Sequence, residues 1–575
     1  MVPATSESQT CGPDEDPGAV EIAPTCTLPP ADWTLRARWK LTVEEHTIMS
    51  VSTGRLGDTD GDGVVTASDD VAIWLTKVAF GDGAHAGARV DAQGTVLWED
   101  DEWPEARLVG STLGTTGPGE PLVRFTQIYT SGHRTYMTAA SEGKTQYSAN
   151  LGDRGFSYVL LADLEGDGVP EILTERFATD ARTGALVYEF ADGGLRPFAG
   201  DLDLDGTSDV LTTADGLPTL VHVETGAEVA CPVVIEDDNS DSAGTAFAIG
   251  DLDGDPEGEF VVANAGIVAV CGADGALLAE TTVAVGGTDA IGLAQLDDDA
   301  LPEILLGQTL PDASATVVIA LDTDLTPLWT TPVVTGGSHL PFAVADLDGD
   351  GRHEVIARRD TGVSILAPDG TILVELEIPS ADFGAGYNPV VVTDIDGDGR
   401  AEILVGGMDP NLVVLENAAG GWPVRNAQDW WPGMDHFPGD RALDGSLPPG
   451  SSAHWLGEGT NVWQGLPAGA PDLPDLGVDA EACSEDCETT VILARVSNHG
   501  RADAPGPVSV ELVRADGAVL ASATVDAVPS GGGFPVDLRV PTSEAVGELV
   551  VRVRGPYVEC LDVANEVVLA ELPCR

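Results

Sequence analysis

The chain has 575 residues, 43% of them hydrophobic, enough to bury large cores and to build more than one domain. It carries 95 Asp and Glu against 27 Lys and Arg, a formal net charge of −68, so its surface should repel nucleic acid and anionic membranes. No run of 18 apolar residues is present to span a membrane as a helix.

Residues 1–31 are rich in Pro and acid, include Cys11 and Cys26, and are expected to be disordered. Their opening, MVPATSESQTCGPDEDP, has neither a charged start nor an apolar stretch, so no signal peptide is visible. The next segment, WTLRARWKL (33–41), alternates like a strand and stands alone, with no partner run beside it.

From there a nine-residue pattern recurs: DLEGDGVPE (163–171), DLDLDGTSD (201–209), DLDGDPEGE (251–259), QLDDDALPE (295–303), DLDGDGRHE (346–354) and DIDGDGRAE (394–402). A longer relative, DTDGDGVVTASD, starts at Asp58, and a decayed one, TLGTTGPGE (112–120), keeps only Glu120 of its acids. Asp58 to Asp394 is 336 residues over seven intervals, a mean period of 48, which makes eight repeats, seven of them able to hold a metal.

Acids at positions 1, 3, 5 and 9 of a tight loop aim their oxygens at one centre, and Gly at position 6 permits the turn that adds the carbonyl of position 7. A hard cation such as calcium wants about six to eight oxygens at roughly 2.3–2.6 Å. Without an ion, like charges about 4 Å apart repel by roughly 1 kcal/mol per pair in water and about 4 at an effective dielectric of 20. Asp–Gly clusters are also ordinary turn chemistry, but the repetition favours a metal. The candidate ligands are Asp58, Asp60, Asp62, Thr66 and Asp69, then Asp163, Glu165, Asp167 and Glu171, then Asp201, Asp203, Asp205 and Asp209. The series continues with Asp251, Asp253, Asp255 and Glu259, with Gln295, Asp297, Asp299 and Glu303, with Asp346, Asp348, Asp350 and Glu354, and with Asp394, Asp396, Asp398 and Glu402. Gln295, Ala300 and Pro256 depart from the pattern and predict weaker sites, and the decayed repeat should bind nothing. The Asp58 loop, with Val64 at position 7, resembles an EF-hand or dockerin loop; with no helix-period segment ahead of it, it reads as another copy of the same loop.

Each loop lies between short apolar runs such as FAVAD and EVIAR, followed by a third run (GVSILAP), an Asp-Gly turn and a fourth run (TILVELEI). Four strands in about 40–50 residues, repeated, are the signature of a β-propeller blade. The fold class is therefore all-β: an eight-bladed β-propeller, or a seven-bladed one if the decayed repeat is no blade. The last blade lacks a fourth strand after NLVVLEN (411–417), and segment 33–41 is expected to supply it and close the ring.

The phrase FAVADLDGDGRHEVIA and its copies resemble the FG-GAP or VCBS repeats, the blade units of the integrin alpha-chain propeller and of many bacterial secreted proteins. The resemblance covers about residues 46–417. It implies a propeller with calcium, about five to seven ions, in the loops of the intact blades.

After this region, 422–471 reads as a Trp/Pro-rich connector, with Trp422, Trp430, Trp431, Trp455 and Trp463, and with His436 and His454 nearby. The Trp side chains either form a platform for sugar rings or pack the connector down; a long loop without secondary structure needs large anchors, which favours packing. Residues 472–575 contain alternating runs (TTVILARVSNHG, VSVELVRADG, ELVVRVRG) at the spacing of a β-sandwich. DLGV, VSNHG and VECLDVANEV resemble the CARDB type of immunoglobulin-like module, which implies a spacer or adhesion unit.

The eight cysteines, Cys11, Cys26, Cys231, Cys271, Cys483, Cys487, Cys560 and Cys574, have no zinc spacing and favour disulfides, hence an extracellular or cell-surface location. Only three Lys occur, which fits a GC-rich bacterial source or a saline habitat. The GKT of SEGKT lacks the earlier glycine of a phosphate loop, HEVIA has Ala357 where a zinc-protease helix needs its second His, and no GxSxG is present. The expectation is a monomeric, non-catalytic adhesion or ligand-binding scaffold with an extracellular protein or glycan partner. The alternative is a calcium-dependent polysaccharide lyase or related carbohydrate-active enzyme.

Overall fold

The computed structural model describes residues 33–569 apart from short breaks and longer ones at 56–68 (Thr59 and Val65 excepted), 80–84, 116–121, 153–158, 191–197, 236–244, 335–340, 379–389 and 428–450 (Leu447 excepted), and it also describes Val20 and Ile22. The expectation of disorder for 1–31, the Asp58, Asp60, Asp62 and Thr66 positions, Glu120, Trp430, Trp431, His436 and Cys11, Cys26, Cys487 and Cys574 lie outside the described residues. The chain forms two compact units. One comprises 32–347 and 351–469, and the other 470–575 with 1–31 and 348–350.

Among the described residues the larger unit contains eight four-stranded antiparallel sheets. Seven are uninterrupted in sequence, the fifth for example being Ala246–Gly250, Glu259–Asn264, Ile267–Gly272 and Leu277–Thr282. The eighth takes Val391–Thr393, Glu402–Gly406 and Asn411–Asn417 and completes itself with Leu35–Thr42, whose register runs from Leu35 opposite Asn417 to Thr42 opposite Asn411. The segment that stood alone in the sequence is thus the fourth strand the last repeat lacks.

Burial explains the composition of the runs. In the fifth sheet the first two strands are buried throughout and the third nearly so, whereas the fourth alternates exposed and half-buried. Strands covered on both faces need near-continuous Val, Ile, Leu and Ala, and an outer strand needs only a period of two. The sheets pack on their sequence neighbours through apolar side chains: Val123 with Ile172, Leu173 with Val210, Phe198 with Phe247, Leu305 with Val344 and Ile356 with Ile403 belong to shared cores. The first core also joins Val51 and Ile73 of the first sheet to Leu404 and Leu412 of the eighth, so the series returns on itself. One disulfide, Cys231–Cys271, links the residue after the fourth sheet's last strand to the third strand of the fifth.

The smaller unit has a three-stranded sheet (Leu476–Ser484, Thr489–Asn498, Gly533–Pro541) and a four-stranded one (Val519–Val528, Ala504–Arg514, Leu549–Arg554, Glu566–Val568). Val478, Ile492, Val510, Leu538 and Val551 place both sheets around one apolar core. Cys483 and Cys560 each take part in a disulfide.

Candidate metal centres

In the third to eighth sheets the acidic loop joins the first strand to the second, and its position-9 acid opens that second strand: Glu171, Asp209, Glu259, Glu303, Glu354 and Glu402. All six are buried. Position 2 is always apolar and buried (Leu164, Leu202, Leu252, Leu296, Leu347, Ile395), so each loop is plugged into the core by one side chain while the acids at positions 3 and 5 stay exposed or half-buried. In five loops the glutamate turns back and its Oε2 accepts the N–H of position 2, at 2.9 Å from Leu164, 2.8 Å from Leu252, 2.5 Å from Leu296, 2.8 Å from Leu347 and 3.1 Å from Ile395.

The other end is held by position 1. Asp163, Asp201, Asp346 and Asp394 each accept the N–H of the position-6 glycine at 2.9–3.0 Å. Those glycines have φ between +80° and +96°, a conformation that side chains resist. Pro256 offers no N–H, and Asp251 instead accepts from Gly254 at 2.7 Å. In the sixth loop Gln295 donates its amide to the carbonyls of Asp297 (2.9 Å) and Asp299 (2.7 Å), so a neutral side chain braces the turn from inside.

These bonds leave oxygens converging. Asp201, Asp203 and Asp205; Asp251, Asp253 and Glu259; Asp297, Asp299 and Glu303; and Asp346, Asp348 and Glu354 each bring one carboxylate oxygen within 4.8 Å of the others, a grouping that can bind a metal ion. Electrostatics makes the need for a counter-charge explicit. Burial, reinforced by the neighbouring acids, pushes Glu171, Glu259 and Glu402 up to about 8 and Glu303 to about 7. Burial also raises Asp201, Asp251 and Asp394. Carboxylates held in this way ionise readily only beside a cation. The donors are hard oxygens on a loop of calcium-loop spacing, and calcium fits them.

Two loops already meet a basic side chain, which the sequence reading missed. Arg38, on the strand that completes the eighth sheet, donates from Nη1 to Glu402 Oε1 at 2.9 Å and pairs through Nη2 with Asp396. In the fourth loop His222 Nδ1 lies 2.6 Å from Asp209 Oδ1 and 3.8 Å from Asp203 Oδ2. The signals were present: Arg38 lies in the segment proposed as the missing strand, and Asp209 is the one aspartate at position 9 among the six close copies. In the first loop only Asp69 of the candidate ligands is described; it is buried and accepts a hydrogen bond from Thr59 Oγ1 at 3.1 Å.

The connector accounts for three of its tryptophans. Trp422, Trp455 and Trp463 are buried. Trp463 exchanges backbone hydrogen bonds with Leu293 of the sixth sheet, at 3.0 and 3.2 Å, and Trp455 Nε1 donates to Pro256 in the fifth loop at 3.1 Å. The segment fastens itself to position 1 of the fifth, seventh and eighth loops. Asn461 brackets the backbone of Asp251 (2.7 and 3.1 Å), the N–H of Gly469 donates to Asp346 Oδ2 at 2.8 Å, and the carbonyl of Ala427 accepts from Asp394 N at 2.7 Å. His353 in the seventh loop accepts from Gln295 N at Nδ1 (2.9 Å) and reaches the carbonyl of Leu466 through Nε2 (2.8 Å). A sugar platform built on Trp422, Trp455 and Trp463 is therefore ruled out by their burial. Among the described residues no helix is long and apolar enough to cross a membrane.

Residues 346–405 match the family model described as FG-GAP-like repeat, and no curated protein matches the chain. Among solved structures the chain is similar to the V. cholerae biofilm matrix protein Bap1, with a TM-score of 0.58 and 15% identity, covering 76% of this chain and 100% of that one. Weaker likenesses include BBS1N in complex with ARL6DN (TM-score 0.39, 11% identity, 67% of this chain and 97% of that one). Another is the Neurospora crassa Pan2 WD40 domain (TM-score 0.32, 9% identity, 54% of this chain and 95% of that one). The Bap1 likeness together with the sheets establishes an all-β, propeller-like protein, and residues 346–405 of it match the FG-GAP-like repeat.

Proposed function

We propose that the chain is a secreted or surface-displayed binding scaffold: an eight-bladed propeller whose loops take up calcium, followed by an immunoglobulin-like sandwich of the CARDB kind that spaces or anchors it. The ligand is an extracellular protein or glycan, bound without chemistry. The observation that carries this reading is the recurrence of one buried position-9 glutamate tied to position 2 in five loops, grouped in three of them with two further acids. A solvated acidic surface has no reason to bury a carboxylate at the same place five times. Eight four-stranded sheets with the last completed from the N-terminal side support the blade count, and the disulfides support an oxidising compartment. Bap1, a biofilm matrix protein, supplies a precedent for this fold outside the cell. The test is elemental analysis of purified protein with thermal unfolding in excess EGTA and in about 2 mM calcium. Five to seven bound ions and a large calcium-dependent rise in Tm are expected; no bound ion and no shift would sink the metal half, after which protein and glycan arrays would test the scaffold half alone.

A further inference from the structure

The fourth loop is built differently from its neighbours. Its position-9 acid is Asp209, one methylene shorter than the glutamates elsewhere, and it is bonded to His222. His222 ends the strand Leu217–His222, and because Val210 pairs with Val221 it lies across the ladder from Asp209. In the third and fifth sheets the residues opposite position 9 are Asp180 and Gly272. The fourth loop thus has an imidazole where these neighbours offer none.

The His–Asp contact does not complete the site. Asp209 is 1% exposed and Asp201 is 7% exposed, yet Asp209 Oδ2 and Asp201 Oδ1 have no hydrogen-bond partner. Two groups share Asp203: one oxygen each from Asp201, Asp203 and Asp205 lie within 4.8 Å of one another, and so do ligand atoms of Asp203, Asp209 and His222. An imidazole N–H donated from Nδ1 satisfies one oxygen of Asp209 and leaves the orphan oxygens unexplained. A divalent ion among them accounts for both.

We propose that His222, Asp209 and Asp203, with Asp201 adjacent, form a mixed nitrogen–oxygen site selective for a borderline transition metal of the zinc class. Imidazole suits zinc and its neighbours, whereas calcium takes oxygens only. Ligands of one zinc at about 2.0–2.2 Å stand roughly 3.3–3.6 Å apart. The 3.8 Å between Nδ1 and Asp203 Oδ2 meets this nearly as it stands, and the 2.6 Å to Asp209 Oδ1 opens by about 0.7 Å as the ion displaces the shared proton. The site takes the fourth loop out of the calcium reading and does not depend on calcium in the other loops.

The test titrates the full chain, stripped with chelator and returned to about 2 mM calcium, with Zn2+, and in parallel with Co2+ as a visible-absorption probe of imidazole ligation. One equivalent of zinc is expected to bind in the presence of calcium. His222→Ala should weaken it at least tenfold and abolish the Co2+ band, with Asp203→Asn, on the more exposed ligand, as a second variant should the first fold poorly. Zinc uptake unchanged in both variants, or no uptake by the parent chain, overturns the proposal. Calcium counted in the same samples keeps the two readings apart: calcium bound without zinc refutes this site alone, and zinc without calcium refutes the calcium loops alone.

Discussion

Replacing Glu171 by Gln should change stability in opposite directions with and without calcium. The amide keeps an oxygen for the N–H of Leu164, which now lies 2.9 Å from Glu171 Oε2, so packing and that bond survive while the charge is lost. In excess EGTA, Glu171 is pushed up to about 8 by burial and its acidic neighbours, against an ordinary 4.5. The folded state then binds the proton more tightly than the unfolded state. This term is fully favourable below about pH 4.5 and is lost as pH rises through about 8, the loss amounting there to a penalty of roughly 4 kcal/mol per such group. Gln abolishes the penalty, and after relaxation and water entry the variant should gain about 2 kcal/mol in EGTA at pH 8 and little at pH 5. With calcium at about a hundred times its dissociation constant, loss of one site removes about 2.7 kcal/mol. Denaturant unfolding at both pH values, with and without calcium, measures all four. A variant destabilised equally in EGTA and in calcium at pH 8 would mean that Glu171 is a packing residue and that no ion belongs in the loop.

Arg38→Ala should cost about 2 kcal/mol in EGTA, since it leaves Asp396 and Glu402 unpaired at the strand that completes the eighth sheet, and calcium should restore most of it; loss of the same size in both conditions would refute the exchange of one cation for another. Trp463→Ala opens a cavity beside Leu293 and should cost about 3–5 kcal/mol with the calcium count unchanged outside the fifth to seventh loops, as read by chemical denaturation and elemental analysis. Ala265 and Gly266, between paired Asn264 and Ile267, both have positive φ, +46° and +88°, in a two-residue hairpin turn that favours Asn-Gly. Ala265→Asn should therefore stabilise by about 0.5–1 kcal/mol, visible as a raised denaturation midpoint.

The repeat was legible because its constraints are local. Alternate acids, a buried apolar position 2 and a position-6 glycine lie within nine residues, and periodicity then exposes the strands around them. The pairing of 33–41 with the last repeat was also legible, since one strand was missing and one was spare. What escaped was everything set by register between distant strands. His222 meets Asp209 because Val210 pairs with Val221, and Arg38 meets Glu402 across 364 residues. Neither neighbour is adjacent in sequence, and a lone His or Arg on a strand carries no local mark of its role. The connector was half legible: its tryptophans announced anchoring, but not that Asn461, Gly469 and Ala427 would bond to position 1 of the fifth, seventh and eighth loops.

The three kinds of loop point to a common logic. Each loop concentrates negative charge at the start of a second strand, where the core on one side denies it water. That charge can be balanced by a hard ion from solution, by a metal ion that the imidazole of the same sheet helps to hold or by a guanidinium from a strand far away in the chain. The third solution stands where Leu35–Thr42 joins the last repeat, so the cation that quiets the loop also fastens the seam. A free ion neutralises a loop without joining distant parts of the chain, and Arg38 does both. If the eighth loop were simply another calcium site, its acids would have no need of Arg38, and its strand would have kept an uncharged residue at that bulge, as the outer strands of the fifth and seventh sheets do with Leu278 and Leu373.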